Sequence, residues 1–117
     1  MRAIRSLLWL EAAIFAVAAL VHFGILLDGF AHRRAAIAES VIAVVLLAGA
    51  AVASIQPSRT RSVGLAVQIF ALLGTLLGLV MVAIGVGPRT MPDAVYHLGM
   101  VVVLFWGLVL AARAAPP

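Results

Sequence analysis

The sequence predicts an all-helical integral membrane protein, built as an up-down-up-down bundle of four transmembrane helices. Its 117 residues are 66% hydrophobic and only 10% charged, whereas a soluble domain is about half apolar and about a quarter charged. The mean hydropathy is +1.25. Four long apolar runs divide the chain, and short connections rich in glycine, proline and arginine separate them. These features predict a single domain, residues 1–117, embedded in lipid.

The predicted helices cover residues 6–27, 35–55, 62–86 and 91–113. Each is close to the roughly 20 residues that cross a hydrocarbon core about 30 Å thick. Connections this short make successive helices antiparallel. The basic start, Met1–Arg5, and the small residues Ala16–Ala18 are also features of a signal peptide. Because Glu11 interrupts the apolar run that such a peptide needs, we expect the first segment to be a retained helix.

The arginines predict the orientation of the bundle. The chain has no lysine, and its formal charge of +4 comes from arginines that cluster at the ends of the apolar runs. Cytoplasmic connections carry an excess of basic residues. The end with more arginines is therefore expected in the cytoplasm, which predicts a multi-pass protein of the inner (cytoplasmic) membrane with both termini cytoplasmic. The expected partner of these side chains is the lipid bilayer, and no nucleic acid is expected. One end carries Arg2, Arg5, Arg59, Arg61 and Arg113, and the other carries Arg33, Arg34 and Arg89.

Ionisable residues inside the apolar runs are the main functional signal. Each costs about 2.5–3.5 kcal/mol to insert, so each needs a reason to be there. His22 lies near the end of the first run, Glu39 near the start of the second, and His97 near the start of the fourth. Antiparallel threading places these three at nearly one depth. Asp93 lies one helical turn before His97.

Two imidazoles and a carboxylate in one layer predict a ligand site. His22, Glu39 and His97 would bind a transition metal such as zinc, iron or copper, with Asp93 orienting the His97 ring. Alternatively, His22 and His97 would clamp the iron of haem b from both faces. Two other interpretations stay open: a proton or substrate relay, and a hydrogen-bonded network that only pins the helices. The chain has no cysteine, which excludes thiolate sites and iron–sulfur clusters.

Glu11 and Gln68 form a second polar candidate at the opposite end of the bundle. Glu11 is close to three helical turns before His22, so the two share one face of the first helix. Gln68 lies seven residues into the third run and is expected to hydrogen-bond Glu11 across the bundle. We interpret the two as a proton relay.

The length, the four spans and the lone Glu11 in the first helix resemble the small multidrug resistance exporters. That resemblance implies a dimeric, proton-coupled transporter of small molecules in which Glu11 exchanges a proton for a cation. The chain departs from the family in two ways. Its second and third helices lack the family's many aromatic residues, and His22, Glu39 and His97 have no counterpart there.

Small residues in the third run predict close helix packing. Gly74 and Gly78 are four residues apart, a spacing that lets two helix backbones approach in lipid. They would pack within one chain or form the seam of a homodimer. A third functional hypothesis uses the same face to attach the chain to a larger membrane complex as an accessory subunit. No nucleophile triad or phosphate loop is present, so enzymatic activity is left open.

Two aromatic side chains are expected to play lesser roles. Tyr96 is expected to anchor its helix at the membrane interface. His32 lies in a connection beside Arg33 and Arg34. We expect it to face solvent, with guarding the entrance of the site as the alternative.

Overall fold

The computed structural model describes residues 1–116 and consists of four long α-helices. Helix α1 spans Arg2–His22, α2 spans Arg33–Ile55, α3 spans Thr60–Ala83 and α4 spans Met91–Arg113. A short 3-10 helix, Pro57–Arg59, joins α2 to α3. The chain is 81% helical, and the described residues contain no strand. The predicted all-helical class is therefore confirmed.

Side-chain caps fix where α2 and α4 begin. At α2, Nδ1 of His32 accepts a hydrogen bond from the backbone N–H of Ala35 at 3.2 Å. At α4, Oγ1 of Thr90 accepts one from the backbone N–H of Asp93 at 3.2 Å. Pro92 lies in the first turn of α4, where its missing N–H costs no helical hydrogen bond. Because the caps set each start, they also set the depth of every side chain that follows.

One predicted helix start and two predicted helix ends were wrong. The first helix was predicted to begin at residue 6 but begins at Arg2. The first helix was predicted to run to residue 27 but ends at His22, two residues before Gly24, whose φ is +76°. The third was predicted to run to residue 86 but ends at Ala83, two residues before Gly85 at φ +83°. Glycine adopts positive φ without the penalty that a side chain imposes. Apolar residues continue beyond both glycines, so hydropathy could not locate these ends.

The four helices run antiparallel in chain order. At the end that holds the termini, Nε of Arg61 donates a hydrogen bond to the backbone oxygen of Ala114 at 3.0 Å. At the same end the indole N–H of Trp9 lies 3.2 Å from Oγ of Ser54. Helix α1 packs along α2, α3 packs along α4, and α2 joins the two pairs through α3. The apolar core between them contains mainly Ile4, Leu8, Phe15, Ile42, Leu46, Ala71, Met100 and Leu104.

Gly74 and Gly78 face the inside of the bundle. A Cβ built on Gly74 would lie 3.0 Å from Cδ1 of Ile42 on α2. A Cβ on Gly78 would lie 3.2 Å from Nε2 of His97 on α4. Both glycines therefore allow close packing within one chain, which is one of the two roles predicted for them. The homodimer seam stays a prediction.

All four helices are long and apolar enough to cross a membrane, judged by length and composition. Large apolar side chains cover the outward faces: Leu73 is 62% exposed and Val102 is 68% exposed. Helices also satisfy their own backbone hydrogen bonds, as a spanning segment in lipid must. These features suggest a multi-pass membrane protein.

Candidate functional site

Three ionisable side chains meet at the end of the bundle opposite the termini, and we call them the His22 array. His22 is the last residue of α1, Glu39 lies two turns into α2, and Asp93 is in the first turn of α4. Their exposed fractions are only 3%, 5% and 5%. The array thus brings together residues from three helices, and nearly all of it is shielded from the surroundings.

The imidazole of His22 lies between the two carboxylates. Its Nδ1 is 2.8 Å from Oε1 and 2.7 Å from Oε2 of Glu39. Its Nε2 is 2.7 Å from Oδ1 of Asp93. Two hydrogen bonds of this kind need two protons. Either both protons are on the ring, which is then an imidazolium, or one proton is on the ring and the other is on a carboxylate.

The second oxygen of the Asp93 carboxylate accepts a hydrogen bond from the hydroxyl of Thr90. The same hydroxyl oxygen caps α4 by accepting the N–H of Asp93. This reciprocal arrangement resembles a capping box. It holds the Asp93 carboxylate in place, with one oxygen on Thr90 and the other turned to His22.

Asp93 therefore orients His22. The sequence had predicted that it orients His97, and that prediction was wrong. Nδ1 of His97 lies 2.7 Å from the backbone oxygen of Asp93, one helical turn earlier. The local carbonyl satisfies that nitrogen, so the carboxylate is left free to reach α1. Nε2 of His97 points towards Gly78 of α3.

The predicted metal ligands share one layer, but they do not converge on one point. Both ring nitrogens of His22 are bonded to carboxylates, so ligation by His22 requires the loss of one of these bonds. Within residues 1–116, no group of three or more histidine, aspartate or glutamate side chains is arranged to hold a metal ion. Metal and haem binding stay predictions.

The residues of the His22 array line two different hollows of the bundle. A cavity of about 230 Å³ lies between α2, α3 and α4, and Glu39 and His97 are part of its wall. A more open groove of about 440 Å³ lies along α1 and α4, and its wall includes His22 and Asp93. The array thus touches the cavity through one carboxylate and the groove through the other. We refer to the first hollow as the Glu39 cavity.

Tyr96 is a site residue that the sequence analysis missed. It lines both hollows, and its ring makes edge contacts with Phe15 and His97 at centroid distances of 6.1 and 5.2 Å. Its hydroxyl is buried and has no hydrogen-bond partner. The signal was its position three residues after Asp93, which places both side chains on one side of α4.

Both ring nitrogens of His32 make hydrogen bonds, which a fully solvated side chain would not. In addition to capping α2, His32 places Nε2 3.2 Å from the backbone oxygen of Val86, beyond the end of α3. It lines the Glu39 cavity together with Arg34. The interpretation of His32 as a guard at the entrance agrees with this position better than the solvated one.

Glu11 and Gln68 form the second polar cluster, which we call the Glu11 pair. Nε2 of Gln68 donates a hydrogen bond to Oε2 of Glu11 at 2.6 Å, so the contact expected between α1 and α3 is present. Both side chains are 0% exposed. Their role as a proton relay stays a prediction.

No protein-family model matches this chain, and no curated protein or solved structure is detectably similar to it. The function of the chain therefore rests on the chemistry of its two polar clusters.

Proposed function

We propose that this chain is a small multi-pass membrane protein that binds a small organic cation in the Glu39 cavity, in exchange for a proton held by the His22 array. The observation that carries the proposal is the arrangement of Glu39, His22 and Asp93. One imidazole joins two carboxylates, and one of them, Glu39, is part of the cavity wall.

The charge of the array favours a cation. Two ionised carboxylates and one imidazolium leave one net negative charge, buried where the effective dielectric constant is low. A unit charge 4 Å away contributes about 4 kcal/mol at an effective dielectric constant near 20. A proton or a bound cation would each neutralise this charge. Exchanging one for the other keeps the total charge of the site constant.

The cavity wall suits a small organic ion. Phe15 and Tyr96 both line it, and aromatic faces attract cations. Its volume of about 230 Å³ is below the roughly 300–1,000 Å³ of pockets for drug-sized ligands. Arg34, which is exposed, and His32 also line the cavity. These basic groups would repel a cation near the connections. A cation is therefore expected to bind deeper in the cavity, beside Glu39.

A transition metal is the competing proposal, and one observation favours it. Glu39 and His97 line the same cavity, and Nε2 of His97 makes no hydrogen bond within the described residues. A metal would take these two donors and would need a third, which His22 supplies only by giving up its hydrogen bond to Glu39 or to Asp93. Binding would then release a proton and weaken as pH falls.

Calorimetric titration of the protein in lipid nanodiscs distinguishes the two ligands. We expect tetraethylammonium to bind with release of a proton, and less tightly as pH falls. Glu39→Gln should weaken that binding by about tenfold or more, because it removes the nearest negative charge. Asp28→Asn is the matched control, since it removes the same charge from an exposed residue of the α1–α2 connection.

The same titration with zinc and copper, and an absorption spectrum of the purified protein, test the other ligands. The ligand is a metal and not an organic cation if two results are found together. The parent binds a metal but not tetraethylammonium, and Glu39→Gln and His97→Ala both lose the metal. A Soret band would indicate haem. If the protein binds none of these ligands, both ligand proposals are wrong and only the four-helix fold stands.

We further propose that the termini lie in the cytoplasm and the His22 array lies near the opposite face, as the arginine excess predicts. An impermeant thiol reagent applied to intact cells should then label a cysteine placed at Ala31 and spare one at Ser58. The reverse pattern would invert the orientation. The Glu11-driven dimeric exporter and the accessory subunit stay predictions.

A further inference from the structure

Glu11 is the tenth of the 21 residues of α1, and Gln68 is the ninth of the 24 residues of α3. The Glu11 pair therefore lies inside both helices, away from both hollows, and not at the end of the bundle where the sequence placed it. Glu11 of α1 and Gln68 of α3 are each 0% exposed, and one hydrogen bond of 2.6 Å joins them. The two ion pairs recorded for residues 1–116 both belong to His22. Glu11 thus has an amide as its polar partner and no cation.

The pair lacks one proton donor. Oε1 of Glu11 and Oε1 of Gln68 are both buried without a hydrogen-bond partner. An ionised carboxylate and an amide oxygen can only accept hydrogen bonds. Two buried acceptors facing apolar helices are costly, and a bare carboxylate is more so. One proton would satisfy both oxygens.

Gly107 of α4 holds the amide in position. A Cβ at Gly107 would come within 2.5 Å of Nε2 and 2.9 Å of Oε1 of Gln68. The amide therefore lies against the α4 backbone and has little room to turn towards another donor. Its polar edge is kept facing Glu11.

We propose that Glu11 and Gln68 bind one proton as a neutral carboxylic acid–amide pair. The proton is on Oε1 of Glu11 and is donated to Oε1 of Gln68, while Nε2 of Gln68 donates to Oε2 of Glu11. Two parallel hydrogen bonds then join α1 to α3. The ligand of this site is the proton itself, and the inference does not depend on the proposed cation site.

Losing that proton would change the contact between the helices. The carboxylate would place a negative oxygen next to the amide oxygen, so one hydrogen bond would be replaced by a repulsive contact. Phe15 lies one turn beyond Glu11, in the direction of the Glu39 cavity, which it lines. Its side chain is 2% exposed. Proton exchange between Glu11 and the Glu39 cavity is therefore expected to be slow.

Infrared spectroscopy of protein carrying 13C-carboxyl glutamate tests the proposal directly, because the chain has only two glutamates, Glu11 and Glu39. In a Glu39→Gln variant at neutral pH, we expect the one labelled band to be that of a protonated, hydrogen-bonded acid. A carboxylate band at neutral pH would overturn the proposal. The parent-minus-Glu11→Gln difference spectrum gives the same information if Glu39→Gln does not fold.

Substitution of the amide tests the geometry of the pair. Gln68→Leu removes the partner, so the acid carbonyl band of Glu11 should shift to the frequency of a free acid. Glu11→Gln keeps two hydrogen bonds as an amide–amide pair without the proton. Because the parent pair needs its proton, we expect the melting temperature of the parent to fall at high pH. Glu11→Gln has no such proton to lose, so its melting temperature should not show that fall. An unshifted band in Gln68→Leu would show that the two side chains do not share a proton.

Discussion

The two polar clusters of this bundle share one face of α1 but occupy different surroundings. Glu11 and His22 are eleven residues apart, about 16 Å along the helix. The His22 array is built from helix ends, beside the connections, and lines two hollows. The Glu11 pair is built from helix interiors and lines neither. Their side chains differ accordingly: the array pairs two acids with a base, whereas the pair matches one acid with an amide.

This difference teaches how ionisable groups persist in an apolar bundle. Near a helix end, charges can be balanced by an opposite charge and can exchange protons with the surroundings. In the helix interior, neutrality through a bound proton avoids the cost of a buried charge. We therefore expect the array to respond to ligands and the pair to respond to protons alone.

Removing His22 should have the largest effect. His22→Leu leaves two buried carboxylates facing one apolar side chain, and breaking a buried ion pair costs about 3–5 kcal/mol. Denaturation in mixed micelles measures the loss in unfolding free energy. A triple variant, Glu39→Gln with Asp93→Asn and His22→Leu, removes the unpaired charges and should recover most of it. A loss below about 0.5 kcal/mol in His22→Leu, typical of surface substitutions, would contradict an ionised array.

The sequence predicted the layer of polar residues because simple quantities determine it. Helix rise and antiparallel threading fix depth, and this was enough to place His22, Glu39 and His97 together. The contact between Glu11 and Gln68 followed from the same reasoning. The depth of His97 depends on where α4 starts, and the Thr90 cap makes that start readable. The depth of His22 was counted back from residue 27, five residues beyond the observed end of α1.

Partner choice within the layer was less predictable because it depends on rotation and on local competition. His97 was expected to bind the Asp93 carboxylate but uses the Asp93 backbone oxygen instead. That choice frees the carboxylate for His22, a residue 71 positions away. Tyr96 was assigned to the membrane interface because it lies near a helix end, but it lines both hollows. Neither outcome depends on hydropathy or spacing alone.

Gly107→Ala should have an intermediate effect that is specific to the Glu11 pair. The added methyl would lie 2.5 Å from Nε2 of Gln68, so the amide must move, and such overpacking costs about 1–3 kcal/mol. Gly99→Ala on the same helix is the matched control, because a Cβ there has nothing within 4 Å. It should be neutral or stabilise α4 by up to about 1 kcal/mol. Equal losses in the two variants would show that the Gln68 amide is free to move.

Thr90→Val should have the smallest effect, and it tests the array from its outer side. Valine keeps the shape of threonine but loses the hydroxyl that caps α4 and bonds the Asp93 carboxylate. Loss of such a cap costs about 1 kcal/mol. Thr90→Ser keeps the hydroxyl and should stay close to the parent in unfolding free energy.

The same two variants show whether the clusters act independently. Thr90→Val loosens Asp93, so its binding of tetraethylammonium should change, whereas the infrared band of Glu11 should not. The two sites lie about 16 Å apart along α1 with the apolar core between them, and sites this distant usually behave additively. A shift of the Glu11 band in Thr90→Val but not in Thr90→Ser would instead indicate that a change in the His22 array is transmitted to the proton of the Glu11 pair.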